Sequence, residues 1–200
     1  MNRRRFVITA TTSAAALALL AACSDKAGES TAPAAAAPAA QPKLTPREGY
    51  ELAAKGTGFT MGSMMAANTV YVFFDATCPH CAALWLASKP LLNRLKIVWM
   101  PIGLLRPQSG PLGATILSAP DPAAVMTENE MSVLEHRPGI SVNPSLGDDV
   151  LAKVKANTDL FLKLGADSVP LIVYRNSKTG EYGSYAGQVQ TDQLAAMVGI

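Results

Sequence analysis

Cys78-Pro79-His80-Cys81 places two thiols three positions apart, directly after the apolar run Val70-Tyr71-Val72-Phe73-Phe74. A dithiol where a strand hands over to a helix can exchange with a disulfide: one sulfur attacks, the other releases the product. At a helix N-terminus the first sulfur faces unpaired backbone N–H groups and the positive end of the dipole, and both favour thiolate over thiol. A thiol pKa of about 8.5 falls in such settings into the range of roughly 3.5–7. Cys78 is therefore the expected nucleophile and Cys81, one turn further in, the more buried resolving thiol. Pro79 fits the first helical turn, where its missing N–H costs nothing. His80, as imidazolium or as a hydrogen-bond donor, would favour the Cys78 thiolate and make the oxidised form the stronger oxidant. The competing readings are a static bridge for the cysteines and an exposed side chain without effect for His80.

Hydrophobic patterning supplies the elements that must hold this motif. Residues 48–55 suggest a short helix and 58–62 a short strand. Residues 68–75 read as a buried strand, β-branched and aromatic. The helix opening at Cys78 runs to about residue 93, with Pro90 marking a kink or an early end. A second strand covers 95–100. Helical patterns follow over roughly 111–119, 121–135 and 146–164, the last with Val150, Leu151, Val154, Leu160, Phe161 and Leu164 on one face. A strand at 169–174, a turn at 176–180, a strand at 182–187 and an amphipathic helix at 191–198 close the chain. Strands paired across a hairpin, with helices between the earlier ones, predict a mixed α/β sheet. The element order resembles that of a thioredoxin fold with an inserted helical subdomain over about 107–165.

Four segments carry a closer likeness: Val72 to Cys81, Arg106-Pro107, Ala119-Pro120-Asp121-Pro122-Ala123, and Leu164-Gly165-Ala166-Asp167-Ser168-Val169-Pro170. Together they resemble the DsbC/DsbG family of periplasmic disulfide isomerases, its DsbG branch most of all, over about residues 68–198. The resemblance implies thiol–disulfide interchange and makes Pro170 the cis-proline facing the dithiol. Val169 before it would then offer its backbone to an extended substrate segment. Two departures qualify the likeness. Members carry an N-terminal dimerisation domain that the roughly 20 residues before the first strand cannot supply, so a monomer is expected. The Pro79-His80 pair and Val169 resemble the strongly oxidising DsbA type instead. Asp75 matches an acid of the isomerases and reads as readily as a solvated strand end. Val72 stands where thioredoxins keep a buried proton acceptor, so the proton of Cys81 must leave through water or another group.

The N-terminus addresses the domain. Arg3, Arg4 and Arg5 precede an apolar stretch over 6–22 that is too short and too rich in Ala and Thr to span a membrane stably. Residues 1–22 therefore read as a signal peptide, and Arg3-Arg4-x-Phe6 fits the twin-arginine and the general secretory route alike. Leu20-Ala21-Ala22-Cys23 looks like a lipobox with Cys23 as the acylated residue; an ordinary cleavage site beside a chance cysteine is the alternative. Residues 23–46, rich in Ala and Pro, read as a tether holding a domain of residues 47–200 off a membrane.

Cleavage would remove Arg3, Arg4 and Arg5 and leave 14 Lys and Arg against 15 Asp and Glu, so the sequence pI of 8.4 carries no nucleic-acid signal. With Cys23 committed to lipid, the three cysteines leave no structural disulfide. Cys78, Cys81 and His80, with Met61, Met64 and Met65 nearby, could in principle bind Zn²⁺ or Cu⁺. Structural zinc wants four ligands, however, and only His136, in an apparent exposed loop, remains. No metal and no cofactor are expected.

The sequence thus predicts an envelope thiol–disulfide oxidoreductase with protein thiols or disulfides and a membrane redox partner as its partners. A non-catalytic binding or chaperone module and a metallochaperone are the competing classes.

Overall fold

The structure, a computed structural model, describes residues 44–67 and 69–200. The signal segment 1–22, Cys23 and the tether as far as residue 43 lie outside the described residues. Among the described residues, five strands form one sheet: β1 (Phe59–Gly62), β2 (Thr69–Phe74), β3 (Lys96–Pro101), β4 (Leu171–Arg175) and β5 (Tyr182–Ala186). Their order is β1-β3-β2-β4-β5, with β2 and β3 parallel and every other pair antiparallel. β2 is central, flanked by β3 and β4. That position explains its near-continuous apolar sequence, since a strand covered on both faces has no side for polar residues.

Among the described residues, six α-helices accompany the sheet: α1 (Pro46–Ala53), α2 (Pro79–Ser88), α3 (Ser109–Ser118), α4 (Pro122–Leu134), α5 (Asp148–Lys163) and α6 (Thr191–Val198). This is the thioredoxin fold, with α3, α4 and α5 between β3 and β4. Pro90 ends α2 early, as its missing N–H and ring sterics require: the chain tightens into a 3-10 turn over Lys89–Leu91 rather than continuing to residue 93. Elsewhere the elements lie within a few residues of their expected bounds. Among the described residues no helix is long and apolar enough to cross a membrane.

The core joins both faces. Trp85 of α2 meets Trp99 of β3 edge-on at 5.0 Å, and Phe73 of β2 meets Phe161 of α5 at 6.1 Å. Two buried asparagines tie α5 to β3 and α4 to the loop after β2. On α5, Asn157 donates to the carbonyls of Thr57 (2.7 Å) and Pro101 (3.0 Å) and accepts from the Thr57 amide (2.8 Å). On α4, Asn129 donates to the Ala76 carbonyl (2.8 Å) and accepts from the Ile140 amide (3.2 Å). Gly113 lets α3 approach β3, because a Cβ there would stand 2.7 Å from that of Pro101. The helical block therefore touches the segment between β2 and α2, where the dithiol begins.

Candidate active site

The site is built at the C-terminal end of β2. The Cys78 amide donates to the Asp75 carbonyl (3.0 Å), closing a turn. The Cys78 carbonyl in turn accepts from the amides of Cys81 (3.0 Å) and Ala82 (3.2 Å), which starts α2. Cys78 is thus the N-cap residue and Pro79 the first helical residue, where its fixed φ suits the turn. Cys78 and Cys81 stand as free thiols, Cys78 3% exposed and Cys81 fully buried.

Their acidities are driven apart. The Cys78 thiol is lowered to about 6, chiefly by a hydrogen bond from the Cys81 side chain. Burial opposes this, while the amides of Cys81 and His80 and the His80 ring add to it. Cys81 is pushed well above the ordinary thiol range by burial first and by the neighbouring Cys78 second. Within one turn, one sulfur is a thiolate at neutral pH and the other a thiol that donates to it. This is the distribution that exchange chemistry uses.

The Val169–Pro170 peptide is cis. Val169 turns its carbonyl towards Cys78, whose Sγ lies 3.7 Å from that oxygen. β4 starts immediately after Pro170, whose own carbonyl accepts from the Gly187 amide (2.8 Å). The Cys78–Cys81 pair and the Val169–Pro170 pair are therefore brought together, Cys78 and Val169 being 91 positions apart in sequence. His80 is exposed, and its Nδ1 lies 2.9 Å from Oε1 of Gln188, a partner that no sequence signal indicates. Because the ring is the last and smallest influence on Cys78, His80→Leu is expected to raise the Cys78 pKa by less than loss of Cys81 does. It should also lower the redox potential slightly. Thiolate absorbance during a pH titration measures the first effect, and an unchanged titration would remove His80 from the site's electrostatics.

Asp75 departs from its solvated alternative. It is fully buried, and its two oxygens accept four hydrogen bonds. Oδ1 takes the Thr77 amide (2.9 Å) and hydroxyl (2.8 Å); Oδ2 takes the amides of Leu104 (3.0 Å) and Leu105 (2.9 Å). The carboxylate thus joins the loop before the dithiol to the loop after β3. Val72 is buried within the sheet opposite Trp99 and Ile172. His136 lies on an exposed loop, Met64 and Met65 are exposed, and Met61 packs against the core. Among the described residues no three His, Cys, Asp or Glu side chains gather as a metal site.

One residue of this neighbourhood carries no motif. Glu130 of α4 is fully buried and close enough to both cysteines for charge on one to shift the other. Met126, Asn129, Glu130 and Val133 form the buried stripe of α4 at helical spacing. An acid on an otherwise core-facing stripe is the readable signal.

Fold and site together define a thioredoxin-fold protein with a Cys-x-x-Cys dithiol. A family model described as thioredoxin matches residues 54–97. The sequence is similar to the thiol:disulfide interchange protein DsbG of Pseudomonas aeruginosa, 26% identical over 142 residues that cover 69% of this chain and 54% of that one. The Escherichia coli DsbG is 28% identical over 119 residues, 58% and 47% of the two chains. The chain spans about half the length of these curated relatives. Among solved structures, Proteus mirabilis ScsC in a compact conformation superposes with a TM-score of 0.57 at 20% identity, covering 73% of each chain. A disulfide interchange protein from Neisseria gonorrhoeae superposes with 0.56 at 19%, covering 70% of this chain and 92% of that one.

Proposed function

We propose that this protein is a thiol:disulfide oxidoreductase of the bacterial envelope, acting as a monomer through the Cys78–Cys81 dithiol of a catalytic domain over 47–200. The observation that carries the reading is geometric: two thiols in the first turn of α2, with the Cys78 Sγ 3.7 Å from the Val169 carbonyl beside the cis Pro170. The opposed shifts in their acidity agree with it. Cys78 attacks a protein disulfide, Cys81 resolves the mixed disulfide, and the Val169 backbone beside Pro170 aligns the substrate. Electrons move only between sulfurs, so the reaction needs no cofactor. Pro79 and His80 tune the potential. The apolar segment 6–22 and the Leu20-Ala21-Ala22-Cys23 run support export, cleavage and lipid attachment at Cys23, on the periplasmic side of an envelope membrane. A membrane redox partner recycles the dithiol from there.

Equilibration of the dithiol against glutathione tests the reading and gives its direction. A potential near about −120 mV marks a donor of disulfides, and one near about −270 mV a thioredoxin-like reductant. Failure to form the Cys78–Cys81 disulfide under any glutathione ratio, or activity that survives Cys78→Ser, overturns it.

A further inference from the structure

We propose that Glu130 carries the proton of the resolving thiol: its carboxylate accepts the Cys81 proton as Cys81 attacks the mixed disulfide. The inference rests on the exchange reading above and supplies a step that the strand leaves open, since Val72 cannot take a proton.

Geometry is the first argument. Glu130 is fully buried on α4, a helix that packs on α2, the helix of the dithiol. Its Oε1 accepts from the Asn129 amide (3.3 Å), and its Oε2 has no hydrogen-bond partner. A buried carboxyl oxygen left unpaired costs stability with no structural return. Asn129, the neighbouring residue, also grips the Ala76 carbonyl two residues before Cys78, so α4 is registered on the dithiol loop.

The charges around Glu130 are few. From α2 the ionisable side chains are Cys81 and the exposed His80, which turns to Gln188. Cys78 and Asp75 flank it from the end of β2, and α3 and β1, which also pack on α4, carry no ionisable side chain. Burial, then the charges on Cys78 and Asp75, push the Glu130 carboxyl well above the usual range, against the pull of the Asn129 hydrogen bond. In the reduced protein, then, Cys78 is a thiolate while Cys81 and Glu130 each hold a proton.

Attack of the Cys78 thiolate on a disulfide R–S–S–R′ forms Cys78–S–S–R and expels R′S⁻, so the negative charge leaves the site. Repulsion from Cys78 on Glu130 falls while burial still favours the neutral acid. The step therefore runs through the fraction of molecules in which the carboxyl has given its proton to the expelled thiolate or to solvent. The carboxylate then takes the Cys81 proton while Cys81 attacks the Cys78 sulfur. The Cys78–Cys81 bond forms, RS⁻ leaves, and Glu130 is again protonated. Two electrons have moved from the dithiol to the substrate, and one proton has been released.

The test uses the full chain carrying Cys23→Ser, reduced and then mixed with 5,5′-dithiobis(2-nitrobenzoate). The first release of thionitrobenzoate reports attack by Cys78, and the second reports resolution by Cys81. A proton acceptor of intermediate acidity makes the second phase level off with rising pH, well before Cys81 titrates on its own. In Glu130→Gln the first phase survives, whereas the second slows by about 10²-fold at neutral pH and climbs about tenfold per pH unit without a plateau. Glu130→Asp restores the plateau in part. A wild-type second phase that climbs without levelling, or a Glu130→Gln protein with the wild-type rate and profile, overturns the proposal; the wild-type profile alone decides if the variant does not fold. Absence of the first phase from the wild-type dithiol overturns the exchange reading itself.

Discussion

Cys81→Ala is expected to turn the protein from a turnover catalyst into a covalent trap. Without a resolving thiol, the mixed disulfide between Cys78 and a substrate has no internal exit, so exchange through the dithiol stops while the adduct accumulates. The same change removes the largest influence holding the Cys78 thiol near 6, the hydrogen bond from Cys81, and the pKa moves back up. Two effects then oppose each other at the attacking step. If the pKa returned to about 8.5, the thiolate fraction at neutral pH would fall about thirtyfold, while the more basic sulfur would gain about tenfold in nucleophilicity. Attack at neutral pH thus slows only about two- to threefold, whereas at about pH 5 the loss approaches twentyfold. Mass spectrometry of adducts under non-reducing conditions measures the trap, and thiolate absorbance the pKa. Full exchange activity in Cys81→Ala, or an unmoved Cys78 titration, would contradict the assignment of Cys81 as both resolver and hydrogen-bond donor.

What could be read from the chain follows from how local each signal is. The Cys78–Cys81 helix start needs only a strand, a proline at the first turn and the dipole of the following helix, all within a dozen residues. Pro90 ends α2 for an equally local reason. Val169 and Pro170 are legible only through the family resemblance, because nothing local says that the start of β4 folds back against Cys78. Asp75 was ambiguous because a carboxylate at a strand end looks the same whether water or four protein donors surround it. Its partners at Leu104 and Leu105 lie about thirty residues away and offer only backbone amides, which leave no mark in a sequence. Glu130 and Asn157 did leave one: each breaks an apolar stripe at a position that periodicity assigns to the core. Asn157 is satisfied beyond its own helix, by the backbone at Thr57 and Pro101. Glu130 has only the Asn129 side chain of its own helix, and its second oxygen is left without a partner beside the dithiol.

Asp75→Asn is expected to be among the most destabilising single substitutions near the site, although it changes only one atom of the side chain. Both carboxylate oxygens act solely as acceptors, two donors to each. An asparagine keeps one acceptor oxygen and presents an NH₂ group to the other pair. If it faces the amides of Leu104 and Leu105, two N–H donors confront a third donor; if it flips, Thr77 meets the same conflict. Hydrogen bonds to a charged group contribute roughly 1.5–3 kcal/mol each, and these amides are only partly shielded from water, so a net loss of about 3 kcal/mol follows. For a domain of this size that lowers Tm by roughly 6–12 °C. Asp75→Ala removes the conflict as well as the bonds and leaves space beside the half-buried amides for water. It should therefore cost no more than Asp75→Asn, an order opposite to the usual ranking of conservative and truncating changes. Thermal unfolding of the two variants with the dithiol kept reduced measures this order. Losses below about 1 kcal/mol in both would mean that the carboxylate does not hold the two loops together. Because the same bonds set the loop that presents Cys78, a destabilised Asp75→Asn protein should also show a displaced Cys78 titration, linking the packing of β2 to the acidity of the nucleophile.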